Sequence, residues 1–307
     1  MEINSANNIH ADKGWQVWWK LTRPHTLTAA FVPVFLGTVL ALHFTSLHLF
    51  LFLAMLFACL LIQAATNMFN EYYDYVRGLD TEKSIGIGGA IVRNGVKPKT
   101  VIQLAFLLYF ISLLLGIYIC VNSTWWIAVI GIVCMAAGYF YTGGPVPIAY
   151  TPFGEIVAGL FMGNIIILIS FYIQTGFINL VSILISIPIS ILVGAILLAN
   201  NIRDLDGDKE HGRKTIAILI GRRNAIRLLA TMFLVSYLLL VIFVITGQAS
   251  PWILIAFISI PKAVKATKGF IGKTQPLEMM PAMQATAQTN TIFGFLVSIG
   301  LLVSTLF

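Results

Sequence analysis

The chain has 307 residues, of which 58% are hydrophobic and only 10% carry a charge. A water-soluble domain carries about 25% charged residues, so this composition excludes an ordinary soluble enzyme. The net charge of +7 follows from Lys and Arg retained on one side of a membrane and from attraction to anionic lipid, and is no signal for nucleic acid.

Met1–Lys20 is polar and aromatic, without the short apolar core and small-residue cleavage site of a signal, and residues 1–25 read as a cytoplasmic segment. A membrane-spanning helix needs about 20 mostly apolar residues. Nine segments meet that need: Thr26–Phe44, Leu47–Phe69, Thr100–Val121, Trp125–Tyr141, Phe153–Ile173, Phe177–Ala199, Ala225–Thr246, Pro251–Ala266 and Thr289–Phe307. Asn122-Ser123-Thr124 separates the third from the fourth, and Pro261 interrupts the eighth just before Lys262 and Lys265. The expected fold is all-α, a polytopic membrane protein of nine transmembrane helices, with residues 1–307 forming one domain in the lipid bilayer.

All 19 Lys and Arg fall before Thr26 or within Arg77–Lys99, Arg203–Arg227 and Lys262–Lys273. The loops at Thr45-Ser46, Asn122–Thr124, Gln174–Gly176 and Gly247–Ser250 have none. Basic loops stay in the cytoplasm, which places the N-terminus inside and the C-terminus outside. The loop Thr142–Pro152 is also assigned inside, although it carries no basic residue. Cys59, Cys120 and Cys134 all lie in apolar runs with no CxxC pair, so neither a disulfide framework nor a thiolate metal site is indicated.

Two acidic clusters carry the chemistry. At the end of span two the chain reads Asn70-Glu71-Tyr-Tyr-Asp74, then Arg77, Gly78, Asp80 and Lys83. At the end of span six it reads Asn200-Asn201-Ile-Arg203-Asp204-Leu-Asp206-Gly-Asp208. Residues four apart share a helix face, so Asn70 points with Asp74, and Asn200, Asp204 and Asp208 form one stripe. Gly78 is a helix terminator that lets Asp80 return from a loop. Aligned carboxylates repel, and charge near a bilayer is costly and usually functional. A divalent cation relieves that repulsion. Oxygen ligands without a Cys or His cluster favour Mg²⁺, with Asn70, Asp74, Asp80, Asn200, Asp204 and Asp208 as candidate ligands. Either cluster alone is also compatible with a solvated span end. The matching Asn-x-x-x-Asp spacing on one side of the membrane argues for a shared, diphosphate-gripping site, as in proteins built from facing repeats.

Arg77, Lys83, Arg93, Lys97, Lys209, Arg213 and Lys214 are candidate phosphate contacts, although for any single one of them topology is the favoured reading. The segment Ser84–Lys99, with Gly86, Gly88 and Gly89, has the length and composition of a lid. Tyr141 has two readings, a residue facing a cation or ring and part of an interfacial aromatic belt. Glu155 is read as a partner of a substrate hydroxyl or as a carboxylate at a helix N-terminus. Gly272-Lys273-Thr274 imitates the end of a P-loop but lacks the earlier glycine and the strand.

Together these segments resemble the UbiA superfamily of intramembrane prenyltransferases, which pairs an Asn-rich first aspartate motif with a second Asp-x-x-x-Asp motif. The likeness covers most of the chain from Trp19-Lys-Leu-Thr-Arg23-Pro24 onward. The segments Gly88-Gly-Ala-Ile-Val-Arg93-Asn-Gly95 and Tyr141-Thr-Gly-Gly-Pro145 are most similar to the branch that acts on a naphthoate. The pattern departs at Glu71, where the superfamily usually has Asp, and at Gly78, which displaces the third acidic residue to Asp80. Pro145 stands where many members have a diphosphate-binding lysine.

The resemblance implies transfer of a polyprenyl group from polyprenyl diphosphate to 1,4-dihydroxy-2-naphthoate with loss of carbon dioxide, as in menaquinone synthesis. It implies Mg²⁺ on the diphosphate, Asp74, Asp208 and Tyr141 in the catalytic site, Arg77, Lys83, Arg93, Lys97 and Lys214 as diphosphate contacts, and Tyr141 and Glu155 beside the acceptor. Other acceptors (4-hydroxybenzoate, homogentisate, haem) remain alternatives. An ion-coupled transporter is a rival class, but it would place its charges near the bilayer midplane, whereas here they sit at span ends.

Overall fold

The structure is a computed structural model that describes residues 14–24, 26–80 and 89–305. Every regular element among them is helical. This follows from the apolar runs, because in lipid each backbone N–H and C=O must find its partner within the chain, and a helix achieves this locally. In order come α1 (Trp15–Leu21), α2 (Thr28–Ala41), α3 (Leu49–Val76), α4 (Pro98–Asn122), α5 (Trp126–Thr142) and α6 (Gly154–Ala158). The last runs through a π-helical turn at Gly159–Ile165 into α7 (Ile166–Thr175). Then follow α8 (Leu180–Glu210), α9 (Ile216–Ile220), α10 (Arg222–Ile245), a 3₁₀ stretch at Pro251–Ser259, α11 (Ile260–Phe270) and α12 (Pro276–Ser304).

Six helices are long and apolar enough to cross a membrane: α3, α4, the continuous Gly154–Thr175 unit, α8, α10 and α12. The protein is therefore a multi-pass membrane protein. Two further apolar helices, α2 and α5, are shorter. The expectation of nine helices thus meets six of full length and two short ones among the described residues. Its eighth span is not one helix. Pro261 lies in the first turn of α11, where its missing N–H ends the preceding ladder, and residues 251–259 wind as 3₁₀ helix instead.

The two helices that carry the acidic motifs are longer than a bilayer crossing needs. At 1.5 Å per residue, about 20 residues cover the roughly 30 Å of hydrocarbon. α3 has 28 residues and α8 has 31. Counted from their starts, the surplus turns contain Asn70 and Asp74 on α3, and Asn200 to Asp208 on α8. The start of α8 is fixed by a capping box in which Asn179 and Ser182 satisfy each other's backbone N–H groups. α3 ends in a left-handed residue, Gly78 at φ 72°, and the N–H of Asp80 returns to the Asp74 carbonyl at 3.3 Å, the expected termination.

Close helix contacts shape the interior. A Cβ at Gly37 of α2 would overlap the Ile167 carbonyl oxygen, and one at Gly163 would overlap the Ser190 backbone of α8. The largest apolar core lies among α2, α8, α10 and α12, and a second gathers α1, α3, α4 and the Ala90-Ile91 turn. Between them runs the cavity that holds the candidate site.

Candidate active site

The cavity measures about 810 Å³. Asn70, Asp74, Asp80, Asn200, Asp204 and Asp208 all line its polar end, and Met55, Cys59, Cys120 and Ile127 line its apolar end. The two acidic segments therefore meet. Arg213 joins them: one Nη lies 2.9 Å from Asp74 Oδ1 and the other 3.0 Å from Asp208 Oδ1. Chain reversal aims it there. α8 ends at Glu210, Gly212 takes φ 77°, and the Arg213 N–H donates to the Asp208 carbonyl at 3.0 Å, a glycine-terminated helix end. The guanidinium also lies 4.8 Å from the Tyr150 ring centroid.

The charges are strongly coupled. Burial alone would lower the Arg213 pKa, but Asp208 and Asp74 outweigh it and hold the group above its usual value. Asp80 is pushed up to about 6, chiefly by burial and then by the negative charges of Asp74 and Glu71, against the pull of Arg23 and Arg213.

Other candidate residues sit elsewhere. Arg77 donates to the carbonyls of Thr142 and Gly144, the latter at 2.8 Å, and lies against the rings of Tyr73 and Tyr150. It stitches the end of α3 to the end of α5 and is absent from the cavity lining. Lys97 flanks the start of α4 and is exposed, as is Lys214. Arg93 packs across Gly89, whose φ of 112° and lack of a Cβ make room for it. Lys83, with Gly86 and Gly88 of the expected lid, lies outside the described residues. The described part of that segment is tied down by Glu71, whose Oε1 accepts from the N–H groups of Gly89 at 2.7 Å and Ile91 at 3.3 Å. The departure at Glu71 thus has a structural use, since the longer side chain reaches the turn.

Tyr141 lines the cavity, and Glu155 lies behind it, 7% exposed, with Oε1 accepting from Asn201 Nδ2 at 2.8 Å. The sequence pattern did not single out Arg23, Asn67, Asn201 and Arg203, which also line the cavity. Arg23 is 3.8 Å from Glu71, and Arg203 chelates Asp204 through two bonds. Asn67 donates to the Thr22 carbonyl and the Thr26 hydroxyl, both at 2.8 Å. Of these, Asn67 alone had a signal in the pattern, since it precedes Asn70 and Asp74 by three and seven residues on the same helix face.

No group of three or more His, Cys, Asp or Glu side chains forms a preassembled metal cage among the described residues. The donor set nonetheless fits Mg²⁺, which typically takes one or two carboxylates and completes its shell with water and substrate phosphate. Hard oxygen atoms from Asp and Asn are available on both helices.

The chain is 64% identical to 1,4-dihydroxy-2-naphthoate octaprenyltransferase of Bacillus subtilis over 94% of this chain and 93% of that one. It is 30% identical to a UbiA prenyltransferase domain-containing protein 1 homolog of Drosophila melanogaster, covering 89% of this chain and 76% of the relative. In fold it is similar to a UbiA homolog from Archaeoglobus fulgidus bound to DMAPP and Mg²⁺, at a TM-score of 0.62 and 16% identity over 92% of this chain and 99% of the other. A UbiA homolog from Aeropyrum pernix aligns at a TM-score of 0.65 and 16% identity, covering 92% of this chain and 98% of that one. The model of the UbiA prenyltransferase family matches residues 30–304, nearly the whole spanning region with both acidic motifs, and the chain belongs to that family.

Proposed function

We propose that this protein transfers a polyprenyl group from polyprenyl diphosphate to 1,4-dihydroxy-2-naphthoate with loss of carbon dioxide, in menaquinone synthesis. The single observation that carries the acceptor is the 64% identity along 94% of the chain to the enzyme of that activity. The geometry supports the chemistry, with two acidic motifs facing each other above an apolar cavity.

In this reading Asn70, Asp74, Asp80, Asn200, Asp204 and Asp208 hold Mg²⁺ on the diphosphate, with Asp74 and Asp208 at the centre. Bound there, Mg²⁺ neutralises the charge that grows on the leaving group. Arg213 and Arg23 supply fixed positive charge at the same mouth. Arg93, with Lys97, Lys214 and Arg77 at greater remove, completes the positive field around the diphosphate, and Lys83, outside the described residues, is kept as a further diphosphate contact. The C–O bond to the diphosphate breaks to give an allylic cation, the electron-rich ring carbon attacks it, and carbon dioxide departs. Tyr141 faces the cation and the ring from the cavity wall. The isoprenoid tail lies in the apolar part of the cavity, among Met55, Cys59 and Ile127.

For the whole chain we infer one membrane domain with nine crossings, in which α2, α5 and the broken 251–270 segment join the six long helices. The basic loops support a cytoplasmic N-terminus and a cytoplasmic acidic mouth. The test is purified protein given a polyprenyl diphosphate and a panel of aromatic acceptors, with product mass as readout. The expected result is prenylated, decarboxylated dihydroxynaphthalene, abolished by EDTA and restored by Mg²⁺. A prenylated 4-hydroxybenzoate with no naphthalene product, or full turnover in EDTA, would overturn it.

A further inference from the structure

Tyr141 of α5, Glu155 of α6 and Asn201 of α8 come together at the side of the cavity. Glycines permit the approach. A Cβ on Gly154 would stand 3.4 Å from the Tyr141 hydroxyl, and one on Gly194 would stand 3.0 Å from the Glu155 carbonyl oxygen. Tyr141 and Asn201 line the cavity, whereas Glu155 does not. Asn201 follows Asn200, so it lies about 100° round the helix from the Asn200–Asp204–Asp208 stripe. It belongs to a different face from the acidic motif.

A side-chain amide has one donor end and one acceptor end, and a carboxylate only accepts. The 2.8 Å bond from Asn201 Nδ2 to Glu155 Oε1 therefore sets the polarity of the amide. It commits the nitrogen to Glu155 and leaves Oδ1 as the free acceptor of a residue that lines the cavity. Among the described residues Oδ1 accepts no hydrogen bond. A bond that only joined helices would have the same polarity; what sets this one apart is that Asn201 also lines the cavity. The buried carboxylate also keeps an unpartnered oxygen, Oε2, so it is not built for packing alone.

We propose that Asn201, held by Glu155, positions the aromatic acceptor: Oδ1 accepts a ring hydroxyl of the substrate, beside Tyr141, and selects hydroxylated rings over their ethers. Glu155 acts through Asn201 and does not meet the substrate. This rests on the aromatic-acceptor reading given above and names the residue that reads the ring. A site built to bond a hydroxyl discriminates strongly against an analogue without it.

The test is two-substrate kinetics on wild type, Asn201→Asp, Glu155→Gln and the double variant, in each case with 1,4-dihydroxy-2-naphthoate and its monomethyl ethers. Asn201→Asp sets two carboxylates against each other, and Glu155→Gln leaves an amide pair with no fixed polarity. Each is expected to raise the KM for the acceptor about tenfold, the worth of one hydrogen bond to a charged or fixed partner, and to leave the KM for polyprenyl diphosphate within about twofold. The double variant exchanges the two groups, so that the amide now on α6 donates to the carboxylate now on α8, and an acceptor oxygen again faces the cavity. It is expected to recover most of the acceptor KM and the preference for the free hydroxyl. Unchanged acceptor KM in both single variants, equal rises in both KM values, or no recovery in the double variant overturns the assignment. Failure of the wild type to prenylate any aromatic acceptor would instead refute the functional reading, before any variant is needed.

Discussion

Arg213 is the residue on which the two halves of the site converge. Its side chain is 13% exposed, and its carboxylate partners Asp74 and Asp208 are 12% and 11% exposed. Removing one member of a buried charge set leaves the others uncompensated, at a cost of about 3–5 kcal/mol. Arg213→Ala is therefore expected to lower the melting temperature in Mg²⁺-free detergent. Added Mg²⁺ should raise it by more than in wild type, because the metal then supplies the missing positive charge. Equal Mg²⁺ increments in the two proteins would separate the arginine from the metal site. Asp74→Ala and Asp208→Ala should each abolish turnover while the protein still elutes as a folded species, and near-normal activity in both would remove them from the metal set. The carboxylates were legible in the sequence because an α-helix fixes which residues share a face. Arg213 was legible only as one basic residue among several. Its role depends on a reversal at Gly212 that turns it back onto Asp74, 139 positions earlier in the chain, and no local period encodes that.

The helices themselves were largely legible, because lipid admits almost no other backbone. Boundaries were less so. α3 and α8 run on to Val76 and Glu210, so reading spans by hydropathy stopped them at Phe69 and Ala199, before the turns that carry the acidic residues. Pro261 was visible as an interruption, but not its outcome, a 3₁₀ stretch at residues 251–259 that packs on α12 and is followed by a basic helix. Nor did the sequence distinguish glycines that hold helices together from glycines that line open space. Gly37 and Gly163 meet backbone atoms of neighbouring helices, whereas a Cβ added at Gly116 or Gly131 would have nothing within 4 Å. Gly37→Ala and Gly163→Ala should each destabilise the protein by about 1–3 kcal/mol, the usual cost of overpacking. Gly131→Ala should leave thermal stability unchanged. A thermal series on the purified variants reads the difference, and equal stability of all three would contradict the close packing of α2 and α8 on the Gly154–Thr175 unit.

At the scale of the whole molecule, the internal echo of Asn-x-x-x-Asp foretold that two acidic segments share one end of the bundle, but not the cavity beneath them. That cavity is lined by residues of α2, α3, α4, α5, the Gly154–Thr175 unit and α8 together, and a space enclosed by several helices has no signature in any one of them. Its lining on α3 runs from Asp74 down to Met55, nineteen residues or about 28 Å of helix. It therefore reaches most of the way across the hydrocarbon and ends near Cys120 and Trp125. In the proposed reading that depth takes the apolar tail of the donor. Gly116 and Gly131 both line it, and a Cβ added at either has no neighbour within 4 Å. Gly131→Phe is thus expected to fold normally and to keep turnover with a short donor such as geranyl diphosphate. With a long polyprenyl diphosphate its kcat/KM should fall at least about tenfold, the cost of roughly 1.4 kcal/mol of lost tail contact. Parallel kinetics with the two donors decide the matter. An equal loss with both would mean that residue 131 disturbs the mouth instead, and no loss with either would mean that the tail leaves the cavity for lipid before it reaches this depth.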